Sequence, residues 1–159
     1  CDWSSDVCSS DLLARFLERV QQLDETACRE LVERLLAACS GQTPVVWDNR
    51  LNAAEAPASW QALMHGRSIA LGSLLLDAAD RKCRLPVVPL LIERDGDYLL
   101  LPADDFSLQA GDQLLFASPL AAQRELELTL RNANELDYVL TGNDHSGSLL
   151  GKLLAGRTA

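Results

Sequence analysis

Pro86 to Phe116, PVVPLLIERDGDYLLLPADDFSLQAGDQLLF, restricts the fold more than any other stretch. Val87 to Ile92 is a nearly unbroken apolar run, the pattern of a strand covered on both faces. Asp95-Gly96 is a strong hairpin signal, because glycine accepts positive φ at little cost. Tyr98 to Leu101 reads as the returning strand, closed by Pro102. Ala110-Gly111-Asp112 marks a second turn, and Leu114 to Ala117 a third strand. Gly96, Gly111 and Asp112 are therefore assigned as structural turn residues. Three short strands make a small sheet that needs a cover on at least one face.

The rest of the chain supplies that cover. Leu13, Phe16, Leu17, Val20, Leu23, Ala27, Leu31, Leu35 and Ala38 recur at spacings of three and four, which makes Leu13 to Ala38 an amphipathic helical region. Asp24 is a candidate cap for a second helix from Glu25, so a single helix and an αα pair are both open. The lack of turn residues favours one helix. Thr43 to Trp47 reads as a short strand and Asp48 to Ala58 as a connector. Ser59 to Met64 and Ser68 to Asp80 read as short helices, and Pro119 opens a further helix to Leu130. Glu127 to Leu130 also alternates, as a strand would. Tyr138 to Thr141 reads as a final strand. The expected class is α+β: a small, mostly antiparallel sheet of short strands with covering helices, preceded by an amphipathic helical segment. Residues 13–40 form that segment, 43–141 the domain, and 142–159 a flexible tail.

The first twelve residues, CDWSSDVCSSDL, fit none of this. They resemble the translation of a sequencing adapter and are read as a disordered, non-native leader. On that reading the chain is the C-terminal piece of something larger.

Charge and composition exclude several functions. The 159 residues carry a net charge of −9, which argues against nucleic acid and anionic membrane as partners. No apolar run reaches the roughly 18 residues of a spanning helix, and no basic segment precedes an apolar run as in a signal peptide. A cytoplasmic location is expected. The cysteines, Cys1, Cys8, Cys28, Cys39 and Cys83, form no CxxC pair and are expected to be reduced thiols.

The inventory for chemistry is thin. His65 and His145 are the only histidines, and neither has a partner at metal-ligand spacing. There is no GxSxG elbow, no GxxxxGK[ST] and no GxGxxG. The sequence assigns no catalytic residue, no metal ligand and no cofactor. Asp95, Asp97, Asp104, Asp105 and Asp112 lie in turns, match no EF-hand spacing, and read as solvated. Arg67, just after a glycine, and Arg94, at the end of the buried run, are the candidate ligand contacts, since an anionic effector needs such donors.

The same stretch resembles the C-terminal subdomain of the regulator of potassium conductance module, the TrkA-C type. Gly72-Ser73-Leu74-Leu75-Leu76 resembles that family's glycine before a short apolar helix. Val88 to Gly96, with Arg94-Asp95-Gly96, resembles its buried strand and turn. Pro102, Asp104 or Asp105, and Leu108-Gln109-Ala110-Gly111-Asp112-Gln113-Leu114 resemble its close. The resemblance spans roughly Thr43 to Leu130. It implies a cytosolic regulatory domain that dimerises, senses a nucleotide or cation, and acts on a potassium channel or transporter. The alternatives are a structural dimerisation module without a small ligand and, behind it, a small enzyme.

Overall fold

The structure is a computed structural model and describes residues 4–142. Two helices open it, α1 (Ser4–Val20) and α2 (Glu25–Cys39). Strand β1 (Val45–Arg50) follows, then α3 (Pro57–Met64) and the one-turn α4 (Leu71–Leu74). Strands β2 (Val88–Arg94), β3 (Asp97–Leu100) and β4 (Gln113–Ser118) come next, and α5 (Leu120–Arg131) and α6 (Ala133–Thr141) end the described chain.

The four strands lie in the order β1-β4-β2-β3, and every neighbouring pair is antiparallel. β4 is central and buried along its whole length, which is why its sequence reads as a continuous apolar run. Its side chains alternate between two cores. Leu114 and Phe116 join Trp47, Ile92, Leu126 and Leu136 beneath α3–α6. Leu115 and Ala117 join Leu12, Phe16, Leu31 and Val88 beneath the α1–α2 hairpin. The domain is thus a three-layer α/β/α arrangement of the α+β class, with helices on both sheet faces.

Local chemistry sets the turns. Asp95 and Gly96 have φ of 53° and 85°, the paired positive values of a type I′ hairpin turn, and Arg94 pairs with Asp97 across it. β2 contains a bulge: Pro89 pairs with Phe116 and Leu91 with Leu115, leaving Leu90 as the extra residue. Proline is tolerated beside the bulge, where the hydrogen-bond ladder is already interrupted. The other glycine that matters is Gly72. Its N–H donates to the Asp104 carbonyl at 2.8 Å, and an added Cβ would stand 2.7 Å from the Asp104 Cβ.

Several expectations are corrected. The helical region is an αα pair. Asp24 accepts from the Ala27 N–H at 2.8 Å and starts α2, so the side-chain cap breaks the helix without a glycine or proline. α1 runs back to Ser4 through the stretch read as a disordered leader, and Leu12 is buried. β1 extends to Arg50, through part of the expected connector. The helix read over Ser68 to Asp80 shrinks to Leu71–Leu74. Tyr138 to Thr141 is helix, not strand: Asn132 caps α6 by accepting from Asn134 N–H, and Leu136 and Val139 bury one face at helical spacing.

The family resemblance also falls. The sheet is antiparallel, not the parallel Rossmann-like sheet characteristic of the regulator of potassium conductance family. The expected potassium channel or transporter partner, and the regulatory, effector-sensing role implied with it, go with the resemblance. Among the described residues no helix is long and apolar enough to cross a membrane. The tail containing His145 and Leu149 to Leu154 lies outside the described residues.

Candidate functional site

Arg94, a predicted ligand contact, is half-buried and engaged by groups of its own chain. The end of β2 aims it at the turn before β4, where its Nε donates to Asp112 Oδ1 and its Nη2 to Asp112 Oδ2, both at 2.7 Å. Nη2 also donates to the Ser107 carbonyl at 2.9 Å, and the guanidinium lies 4.8 Å from the Phe106 ring centroid. The Asp112 side chain is fully buried and also accepts from the Gln109 N–H at 2.8 Å. Hydrogen bonding to Asp112, the leading cause, holds the Arg94 pKa above its ordinary value. The bidentate pair pins the 107–112 loop, and Gly111 takes the positive φ of 96° that lets the loop return. The Gly111 N–H donates to the Leu51 carbonyl and the Leu51 N–H to the Asp112 carbonyl, both at 2.8 Å, which ties this loop to the end of β1.

Arg67 sits elsewhere, with its Nη1 2.7 Å from Asp137 Oδ1 on α6. Its partner therefore belongs to a different element from that of Arg94. The turn at Gly96 is closed by its N–H, which donates to Glu93 Oε1 at 2.9 Å.

One groove escapes sequence reasoning, because its walls are far apart in the chain. It has a volume of about 600 Å³ and lies between the end of α2, the approach to β2 and the segment after β3. Val87, Val88 and Pro102 give it an apolar lining, and Arg34 and Arg84 supply its cations. Leu101, with φ of 48°, turns the chain into this wall. Arg84 makes a two-nitrogen ion pair with Asp104. Its hydrogen bond, the largest cause, and its charge hold the Asp104 carboxyl below the ordinary carboxylate value. The groove's lining contains no histidine, cysteine or hydroxyl side chain, so it offers no nucleophile beside a base.

Among the described residues, other reactive groups are equally unassembled. No cluster of three metal-ligating side chains exists among the described residues. Cys28, Cys39 and Cys83 are free thiols. Cys83 is exposed, but its hydrogen bond to Asp80, followed by that carboxylate's charge, pushes its pKa up and disfavours the nucleophilic thiolate.

The sheet edges differ from one another. β3 has four residues and runs into Leu101 and Pro102, a short edge of the kind that resists pairing. β1 has six residues, and the Val46 side chain is 44% exposed. Leu51 N–H points toward β4, whereas Arg50 N–H points away and is taken by Glu55 Oε2 at 2.9 Å. Strand alternation therefore turns the N–H and C=O of Val46 and Asp48 outward as well.

No protein-family model matches this sequence, and no characterised protein shows significant similarity to it.

Proposed function

We propose that this domain is a structural dimerisation module that makes and breaks no bonds. The open outer edge of β1 carries the reading. A row of unpaired main-chain donors and acceptors is a template for another strand. The internal use of charged side chains supports the same view. Arg94, Arg84 and Arg67, three cations of the kind a ligand site would use, are engaged with Asp112, Asp104 and Asp137.

A rival contact surface has one observation in its favour. Val32 and Leu36, one turn apart on α2, are 53% and 68% exposed. An apolar pair on an outer helix face suits helix–helix packing.

Sedimentation velocity over a wide concentration range tests the proposal. A dimer in reversible exchange with monomer is expected. A monomer at every concentration refutes it.

A further inference from the structure

We infer that two copies join through β1, edge to edge, with a two-fold axis passing through Trp47, so that the two sheets become one continuous eight-stranded sheet. This rests on the dimerisation reading and adds the surface, the occupant and the register.

The argument starts from what limits the edge. At one end stands Pro44, which has no N–H to donate. At the other end the Arg50 N–H is already stoppered by the Glu55 carboxylate, which Asn52 Nδ2 holds at 3.1 Å. The open window is therefore Val45 to Asn49, and its middle residue is Trp47. Within it the outward groups belong to Val46 and Asp48, one on each side of the middle.

That symmetry selects a second copy as the occupant. A two-fold axis at Trp47 sets Val46 opposite the partner's Asp48, and Asp48 opposite the partner's Val46. Both members of each pair face the other strand, so each pair exchanges two N–H···O=C bonds, as antiparallel strands require. The contact is isologous and closes on itself. A shift of the axis to Asp48 would oppose two like charges and bring Val46 against the stoppered Arg50. Side chains fit the Trp47 axis too. The Asp48 carboxylate is held by Gln113 Nε2 at 2.6 Å within its own sheet, and the Trp47 indole is anchored inward by donating to Ser118 Oγ at 3.0 Å. Neither needs to move for the edges to meet.

The test combines sedimentation velocity with residue-resolved amide exchange on the full chain. In the wild-type protein the Val46 and Asp48 amides should exchange more slowly as concentration rises, while the inward Trp47 and Asn49 amides stay protected throughout. Asp48→Pro removes one outward donor and no donor to β4, and proline is tolerated on an edge strand. It should give a monomer with an unchanged circular dichroism spectrum. Val32→Glu/Leu36→Glu, on the hairpin face, should leave the dimer intact. A wild-type monomer overturns the dimerisation reading together with the register. A wild-type dimer whose Val46 and Asp48 amides are insensitive to concentration overturns the β1 register alone, as does a dimer lost in the hairpin variant and kept in Asp48→Pro. The amide measurement needs no variant and decides the matter even if Asp48→Pro fails to fold.

Discussion

Removing Arg94 should destabilise this domain more than removing the acid it holds. Arg94→Ala leaves the Asp112 carboxylate, whose side chain is 0% exposed, without its cation. Breaking a buried pair from one side costs about 3–5 kcal/mol, because the remaining charge stays desolvated. Loss of the guanidinium–Phe106 contact adds about 0.5–1 kcal/mol. Asp112→Ala strands a different group. The Arg94 side chain is 27% exposed and can regain water, and the Gln109 N–H loses its acceptor on an exposed residue. That variant should cost about 2 kcal/mol. The double variant should be more stable than Arg94→Ala, since neither charge is left alone. Urea unfolding followed by circular dichroism gives all three values from the midpoint and slope. An Arg94→Ala loss below about 1 kcal/mol, the range of exposed surface pairs, would refute the reasoning. So would a double variant weaker than both single ones.

Three further outcomes follow from the geometry. Gly72→Ala should lower stability by about 1–3 kcal/mol, because its Cβ would overlap Asp104 at 2.7 Å, and an unchanged thermal midpoint would show that the loop yields freely. Asp24→Ala should cost about 1 kcal/mol by removing the α2 cap, read as faster amide exchange at Ala27; unchanged exchange and stability would mean the cap is idle. Asp104 has a lowered folded-state pKa, so its contribution is present above the unfolded value and lost as pH falls through the folded one. Arg84→Ala should therefore melt slightly below wild type at neutral pH and match it in strong acid, and a gap that persists in acid would refute the assignment.

The hairpin was legible because its requirement is local. Two successive positive φ values call for Asp-Gly, and the sequence supplies Asp95-Gly96. Burial of β2 and β4 was legible for a similar reason, since covered strands read as apolar runs. The α6 error came from composition. Tyr138-Val139-Leu140-Thr141 has strand-forming residues, yet Leu136 and Val139 are buried at helical spacing after the Asn132 cap, and Leu140 packs against the same core as Leu136. Tertiary burial overrode propensity there. The helical break at Asp24 is faint in the sequence, because a capping side chain acts without any breaker residue. Pairing was out of reach. β1 joins β4 over more than sixty positions, from Val45 opposite Ser118 to Arg50 opposite Gln113. The Arg94–Asp112 pair is hidden in the same way: one residue reads as a ligand donor and the other as a turn, and nothing in their spacing joins them. The β1 edge carried no sequence signal apart from Pro44, because an open edge is defined by what the rest of the sheet leaves uncovered.

The extra residue at Leu90 makes β2 a strand with two parities. Val87 and Ile92 are five positions apart, an odd number, yet both enter the core beneath α3–α6. An uninterrupted strand would send them to opposite sides. Deleting Leu90 would therefore act as a rotation, turning the chain before it over and presenting Val87 to the hairpin and Val88 to the other layer. A length change of one residue at this point is a topological edit, because it reassigns every side chain before it to the other layer.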